Sequence, residues 1–291
     1  MAEPRGDHNR SDQNRSDHNQ RDHNQREYTH GHHDSVLRSH RWRTAENSAG
    51  YLLGHLRPGL SLLDVGCGPG TITADLARLV APGRVLGIER VADPLDEARA
   101  AGADLANLSF AVTDVHALDP AAGRFDVVHA HQVLQHLTDP VGALRAMGSV
   151  LAPGGLVAVR DADYAAMTWF PADPRLDAWQ SVYRQVAQAD GAEPDAGRRL
   201  HAWAREAGFA EVTASASVWC YASAAEREWW GSLWAERITV SRIAHRAVEL
   251  GLADEAGLAE MAAGWRAWAE HPDGWFTVLN GEVLAHDPTP S

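Results

Sequence analysis

The stretch LLDVGCGPGTIT, residues 62–73, has glycines at positions 66, 68 and 70 directly after a short apolar run. This pattern favours a buried strand followed by a turn at which a ligand approaches the backbone closely. A triphosphate-binding loop is excluded, because it requires a lysine and the chain contains none. The glycine spacing is also one residue shorter than the dinucleotide fingerprint. We therefore expect a ligand that lies over the turn without a pyrophosphate at the helix N-terminus.

Short apolar segments alternate with helical patterns on both sides of this stretch. The alternation predicts an α/β fold, a doubly wound and mostly parallel sheet of seven strands with helices on both faces. The predicted strands cover residues 60–65, 84–89, 108–113, 125–130, 156–160, 211–222 and 275–285. The predicted helices cover one or two segments within 32–56, then 71–79, 94–101, a segment ending at 150, 173–189, 195–208, 224–250 and 254–270.

Composition narrows the classes of function. The chain has 291 residues and a formal net charge of −13, which disfavours nucleic acid as a partner because both molecules are acidic. The absence of lysine also excludes Schiff-base chemistry and a lysine general base. Two cysteines, Cys67 and Cys220, are too few for a disulfide framework or a cysteine-rich metal site. No apolar run reaches about 18 residues and no signal peptide is recognised, so we expect a cytoplasmic protein without a membrane span.

Two carboxylates follow strands of the predicted sheet. Glu89 ends the second strand and Asp114 follows the third. The carboxyl ends of parallel strands form the edge at which open α/β sheets bind ligands. At these positions Glu89 can accept hydrogen bonds from both hydroxyls of a ribose, and Asp114 can accept one from an adenine amino group. Together with the glycine turn, the two residues indicate an adenosyl ligand.

Five motifs carry a resemblance to a known family: LLDVGCGPG, GIE, VTDVHAL, FDVVHAHQVLQHL and LAPGGLVAVRD. In order and spacing the chain resembles the class I S-adenosylmethionine-dependent methyltransferases, and among them the small-molecule enzymes of the ubiquinone- and menaquinone-biosynthesis type (methyltransferase type 11/25). The resemblance covers about residues 28–165 well and the remainder loosely. It implies a Rossmann-like methyltransferase fold, S-adenosylmethionine as cofactor and S-adenosylhomocysteine as product.

The resemblance also implies a set of cofactor-binding residues. The glycine turn would hold the methionine part, the strand ends would hold the ribose and adenine, and two N-terminal residues would close over the cofactor. In chain order the set is Tyr28, Arg43, Asp64, Gly66, Gly68, Gly70, Glu89, Arg90, Asp114, Val115, His116, Ala130 and His131. Within it, Arg43 would pair with the cofactor carboxylate, and Ala130 and His131 would lie beside the sulfonium. Two roles remain open for Asp64, orienting the turn or binding the ligand's ammonium group.

Methyl transfer from a sulfonium is an in-line displacement, so the protein mainly aligns the reactants and excludes water. A general base is needed only when the acceptor atom carries a proton. The candidates for catalytic residues are His131, His136 and Asp161, the last of which, with Asp163, is expected to face the mouth of the pocket. His129 alternates with apolar residues along its strand and is interpreted as a packing residue.

The segment after residue 165 is rich in tryptophan. Trp230, Trp234 and Arg237 recur at helical spacing on one face of a predicted helix. We expect a pocket for a bulky apolar or aromatic small molecule, methylated on oxygen, carbon or nitrogen, although an aromatic core is the alternative for any single tryptophan. A second hypothesis keeps the cofactor but uses its positive charge for cyclisation or decarboxylation. The oligomeric state stays open, and a homo-oligomer is compatible with the sequence.

The sequence divides into four parts. Residues 1–27 are a low-complexity repeat with almost no apolar residue and are predicted to be disordered. Residues 28–57 are predicted lid helices, 58–165 the S-adenosylmethionine-binding core, and 166–291 a helical cap with the final strands. The histidine run at 30–33 is interpreted as solvated, so no metal is expected.

Overall fold

The computed structural model describes residues 42–286. The expected disordered repeat, the histidine run and Tyr28 lie outside these residues. Eight strands form one sheet in the order β3-β2-β1-β4-β5-β8-β6, with β7 paired to the other edge of β8. They are β1 (Leu62–Val65), β2 (Val85–Glu89), β3 (Leu108–Val112), β4 (Phe125–His131), β5 (Leu151–Ala162), β6 (Thr168–Phe170), β7 (Glu211–Tyr221) and β8 (Trp275–His286).

The sheet is parallel from β3 to β5 and becomes antiparallel at β8. The strand order reverses between β1 and β4, and such a reversal leaves a crevice at the carboxyl ends of the strands. Every residue of β1 is buried, as expected for a strand at the centre of a sheet that is covered on both faces. The predicted fold class is confirmed, and the fold positions the site at this crevice.

Nine helices accompany the sheet within residues 42–286. They are α1 (Ala45–Leu53), α2 (Thr71–Val80), α3 (Asp93–Ala101), α4 (Pro140–Ser149), α5 (Pro174–Ala189), α6 (Leu200–Ala207), α7 (Ala224–Val240), α8 (Arg242–Glu249) and α9 (Glu255–Glu270). Most begin at capping residues that the sequence displays, because short polar side chains accept hydrogen bonds from the first amides of a helix. Ser223 and Glu226 form a capping box at the start of α7, and Asp173 caps α5 ahead of Pro174.

The cap consists of α5, α7, α8 and α9, and its interior is aromatic. Trp179, Trp265 and Trp268 are almost completely buried there, and Phe276 of β8 packs against them. The cap core therefore rests directly on the last strand of the sheet. No helix within residues 42–286 is long and apolar enough to cross a membrane.

Several predicted boundaries were wrong for local reasons. The helix predicted to end at 150 begins only at Pro140, because the Asp139 side chain caps it there and proline suits the first helical turn. The helix predicted over 224–250 is broken at Ser241, whose extended backbone and side-chain hydrogen bond to Ile243 start a new helix. The strand predicted over 156–160 extends from 151 to 162, and β6 was not predicted. The helix predicted over 195–208 is a 3₁₀ turn followed by α6.

Gly70 tests the packing of the turn between β1 and α2. It has φ +77°, and a Cβ there would lie 2.8 Å from the Ala98 Cβ and 2.9 Å from its Cα. We expect Gly70→Ala to lower the free energy of unfolding by about 2–4 kcal/mol, from backbone strain and overpacking. Chemical denaturation measures this change. Gly54→Ala is the control, since Gly54 has φ −66° and a Cβ added there would have no other atom within 4 Å; equal stability of the two variants would contradict the packing described.

Candidate functional site

A cavity lies at the carboxyl edge of β1, β2 and β4 and continues beneath the cap. Its first half, the turn half, is lined by the glycine turn and by the residues that follow β2 and β3. Its second half, which we call the aromatic chamber, is lined mainly by the rings of Trp42, Trp219, Tyr221, Trp229, Trp230 and Trp234. The two halves meet at the end of β4. A ligand in one half can therefore reach a ligand in the other.

The glycine turn is held open against the end of β2. The amides of Gly66 and Cys67 both donate to the carbonyl of Ile88, at 2.8 and 3.0 Å. Gly66, Gly68 and Gly70 all have positive φ, in the left-handed region that favours glycine. A Cβ on Gly66 would lie 2.5 Å from a Val133 methyl carbon, so this position needs glycine for close approach. The turn thus presents backbone rather than side chains to the cavity.

Asp64, near the end of β1, holds the glycine turn in place through contacts of its carboxylate. One carboxylate oxygen lies 2.7 Å from Nδ1 of His129, and the other accepts the Thr73 hydroxyl at 2.5 Å. The Asp64 side chain and the His129 ring are almost completely buried. This geometry ties β1 to β4 and α2, and it favours the orienting role of Asp64 over contact with a ligand ammonium. It also gives His129 a structural partner, as the interpretation of that residue as a packing residue expects.

Two further carboxylates, those of Glu89 and Asp114, lie at the end of β2 and just after β3. One oxygen of Glu89 accepts from the amide of Gly68 at 3.2 Å and the other from the amide of Arg90 at 2.9 Å. Asp114 begins a short 3₁₀ turn, where one of its oxygens accepts from the amide of His116 at 2.8 Å. Both side chains line the cavity. Each carboxylate is therefore oriented by backbone amides and keeps acceptor capacity for a ligand hydroxyl or amino group.

The end of β4 is strained at Gln132. This residue has φ +53°, which side chains other than glycine rarely adopt. Its amide donates to the Arg160 carbonyl at 2.7 Å, and its side chain accepts from Arg43 at 2.6 Å and donates to Asn280 at 3.3 Å. Strained backbone of this kind is concentrated at functional sites, where the surrounding contacts hold it. Gln132 connects the N-terminal segment, β4 and β8 at the junction of the two halves.

The proton position on His136 follows from its neighbour. The Gln135 side-chain oxygen accepts from the amide of Ala162 at 3.2 Å, so its NH₂ group is the part that lies 3.0 Å from Nε2 of His136. Nε2 must accept, and the neutral ring then carries its proton on Nδ1. Burial, with a smaller contribution from the Arg43 charge, lowers the pKa of His136 to about 3. The ring is neutral near pH 7 and Nε2 is not available as a base.

Asp161 and Asp163 were expected at the mouth of the pocket, and this expectation was wrong. Asp161 is completely buried, does not line the cavity, and accepts from the amide of Gln135 at 3.1 Å. Burial raises the pKa of Asp161 to about 7, against the hydrogen bonds from the Gln135 and Leu134 amides. The Asp163 carboxylate accepts hydrogen bonds from two nitrogens of Arg198, at 2.5 and 2.7 Å. Both carboxylates therefore hold loops in place.

The aromatic chamber is built from segments that are distant in the sequence. Trp42 precedes α1, and its ring centroid lies 5.4 Å from that of Trp219 on β7 and 5.5 Å from that of Trp229 on α7. The Tyr221 ring stacks on Trp230 at 4.4 Å, and the indole nitrogen of Trp219 donates to the carbonyl of Asn47 at 2.6 Å. The chamber is thus closed by contacts between the N-terminal segment, the edge strand and the cap.

Comparisons with known proteins place the chain in a family. A sequence profile of the methyltransferase domain matches residues 56–208. An uncharacterized methyltransferase of Schizosaccharomyces pombe is 32% identical over 267 residues, covering 88% of this chain and 95% of that protein. The chain belongs to the class I S-adenosylmethionine-dependent methyltransferases. The resemblance stated from the motifs is confirmed, and with it the enzyme class and the cofactor.

Two further comparisons show how much of the methyltransferase is similar to other known proteins. A ubiquinone biosynthesis O-methyltransferase of Methylocella silvestris is 40% identical over 101 residues, which is 34% of this chain and 38% of that protein. The solved structure of the YcgJ protein of Bacillus subtilis has a TM-score of 0.53 at 14% identity and covers 82% of this chain and 97% of that one. The first similarity is limited to about a third of the chain, and the second shows the fold alone.

The structure brings most of the predicted site residues of this methyltransferase to one cavity. The predicted residues that line it are Arg43, Asp64, Gly66, Gly68, Glu89, Arg90, Asp114, Val115, His116, His131 and His136. Gly70 does not line the cavity because it packs against Ala98 of α3, and Ala130 does not because it is enclosed between β1 and β5. Tyr28 lies outside the described residues.

Sequence reasoning missed part of the chamber. Trp230, Trp234 and Arg237 line it, in agreement with the predicted helix face, and Trp229 of the same helix lines it as well. Trp42, Trp219 and Tyr221 line it as well and were not proposed. The alternation of Trp219 and Tyr221 at the end of a predicted strand is a signal for the last two, because residues two apart share one face of a strand. Nothing in the sequence distinguishes Trp42.

The protonation of His136 can be read directly. In ¹H–¹⁵N spectra that detect histidine ring nitrogens, we expect a neutral His136 ring with the proton on Nδ1 from pH 8 down to pH 5, because its lowered pKa is near 3. His136→Gln identifies the signal. Gln135→Leu is the matched variant, and it removes the hydrogen bond that selects the tautomer. A charged His136 ring at pH 6, or a proton on Nε2 in the unsubstituted protein, would contradict the arrangement.

Proposed function

We propose that this methyltransferase moves a methyl group from S-adenosylmethionine to a bulky apolar or aromatic small molecule that binds in the aromatic chamber. The observation that carries the proposal is the continuity of one cavity with two chemically different halves. The turn half holds glycine backbone and three carboxylates, whereas the chamber is walled by indole and phenol rings. The acceptor atom, whether oxygen, carbon or nitrogen, is set by the molecule that fills the chamber.

The turn half fits the cofactor. Because a Cβ on Gly66 would collide with Val133, only glycine keeps this backbone path, along which the methionine part lies. Glu89, oriented by the amides of Gly68 and Arg90, accepts from the ribose hydroxyls. Asp114 accepts from the adenine amino group, with Val115 and His116 beside the ring, and Arg43 pairs with the cofactor carboxylate. When bound, S-adenosylmethionine supplies a methyl group that is already activated by its positively charged sulfur.

The protein residues then align the acceptor and exclude water. The rings of the chamber hold a flat acceptor and desolvate it, and the junction at His131 and Gln132 sets where it meets the cofactor half. His136 lines the cavity as a neutral ring, so we assign it to positioning and not to proton abstraction. An acceptor that carries a proton needs a base, and we assign His131, whose buried ring lies 5.7 Å from the Trp219 centroid, to that step.

Removal of Glu89 tests the cofactor half. Glu89→Ala removes a charged acceptor for the ribose hydroxyls, and we expect S-adenosylmethionine binding to weaken by about 1–3 kcal/mol. Isothermal titration calorimetry measures the change. Asp96→Ala is the control, because the Asp96 side chain is 90% exposed on α3 and pairs only with Arg99 among the described residues. Unchanged affinity in Glu89→Ala would refute the assignment of Glu89 to the ribose.

An acceptor screen tests the chamber. With S-adenosylhomocysteine production as the readout, we expect turnover with aromatic or polycyclic acceptors and none with small hydrophilic ones. For an active aromatic acceptor, Trp230→Ala is expected to raise KM by about fivefold, since a lost ring contact is worth roughly 1 kcal/mol. Trp275→Ala, at an exposed position outside the cavity, is the control. Turnover with hydrophilic acceptors alone would refute this substrate class, and acceptor consumption without S-adenosylhomocysteine would favour a non-methylating reaction.

A further inference from the structure

Charge is divided unequally between the two halves of the cavity. Among the described residues that line it, the carboxylates are Asp64, Glu89 and Asp114, and all three belong to the turn half. Three arginines of the described residues line the cavity: Arg90 follows β2 in the turn half, Arg43 lies at the junction, and Arg237 lies in the chamber. The turn half is therefore suited to the donor groups and the positive charge of the cofactor. The chamber has the opposite character and is suited to a ligand that is electron-rich or anionic.

Arg237 places its charge inside the aromatic wall. It is only 4% exposed, and its guanidinium carbon lies 4.7 Å from the ring centroid of Trp234. Burial raises the pKa of Tyr164, which also lines the cavity, and a hydrogen bond with Tyr183 opposes that rise. The positive charges of Arg237 and Arg43 oppose the rise as well, so Arg237 interacts electrostatically with Tyr164. A ligand in the chamber therefore meets a cation, and no carboxylate of the described residues lines this part of the cavity.

The neutral polar atoms of the chamber are also donors. The Tyr221 hydroxyl and the Trp230 indole nitrogen are buried and have no hydrogen-bond partner within residues 42–286. Both residues line the chamber, and their rings stack on each other. An indole N–H can only donate, and buried donors are usually satisfied in functional complexes. A ligand that offers acceptor oxygens would satisfy them.

On the basis of the proposed function, we propose that the natural acceptor is an aromatic carboxylate and that Arg237 binds its carboxylate group. A guanidinium presents five N–H donors in a planar fork that matches a carboxylate, so one additional partner does not exhaust it. The rings of the chamber hold the aromatic body. Arg237 thereby selects acids over neutral or cationic molecules of the same shape.

Three probes of one shape test the selection: 2-naphthoate, 2-naphthamide and 2-(aminomethyl)naphthalene, at pH 7.5. Each is titrated by calorimetry into protein loaded with S-adenosylhomocysteine. We expect the unsubstituted protein to bind the carboxylate at least about tenfold more tightly than the amide, and the amine most weakly. Arg237→Met is expected to abolish this preference and Arg237→Lys to keep most of it. Arg266→Met, at an exposed position of α9 outside the cavity, is expected to leave it unchanged.

Each result decides the proposal. Equal or tighter binding of the amide or amine, binding of none of the probes, or an unchanged preference in Arg237→Met would overturn it. Thermal melting checks that the variants fold, and Arg237→Gln replaces the methionine variant if that one is unfolded. The initial titration with S-adenosylhomocysteine separates two failures. If that molecule does not bind, the proposed function fails; if it binds without a carboxylate preference, only this inference fails.

Discussion

The fixed path of the chain between β1 and α2 is the constraint on which the rest of the site depends. Two consecutive amides bond to a single carbonyl of β2, and the Asp64 carboxylate below them joins β4 and α2. The left-handed backbone at Gly66, Gly68 and Gly70 follows from this fastening. Because β1 lies at the centre of the sheet, displacement of the turn would disturb both neighbouring strands. The turn half is thus preorganised mainly by hydrogen bonds of the backbone.

The methyltransferase combines this rigid half with an aromatic chamber that is built from different parts of the chain. The residues of the turn half, which we propose to bind the cofactor, follow strands close together in the sequence, between positions 64 and 116. The chamber draws instead on Trp42, on β7 and on α7. Hydrogen bonding with directional amides dominates the first half, and ring packing dominates the second. Residues of the chamber can therefore differ without altering the hydrogen bonds that hold the glycine turn.

The sequence predicts the fold and the cofactor half better than the chamber, for a physical reason. Alternating short strands and helices, and polar residues at strand ends, are local patterns, and these placed Glu89, Asp114 and the glycine turn correctly in one cavity. Capping by Asp139 and Ser241 decided boundaries that periodicity alone did not reveal. Asp161 was misjudged because the sequence does not show whether a carboxylate after a strand faces a cavity or a buried amide. Contacts such as those of Trp42 depend on the tertiary fold and have no local signal.

The position of three cap helices in the chain limits how they can move. Helices α7, α8 and α9 lie between β7 and β8, and these two strands pair with each other over eleven residue positions. Both ends of the insertion are consequently anchored on adjacent strands, which is unlike a domain joined by a flexible hinge. Any rotation of α7, α8 and α9 is limited to the two short connections at 222–223 and 271–274, which leave neighbouring strands. The wall of the chamber thus combines residues anchored beside the β7–β8 ladder with Trp42, which is 37% exposed and belongs to no strand or helix.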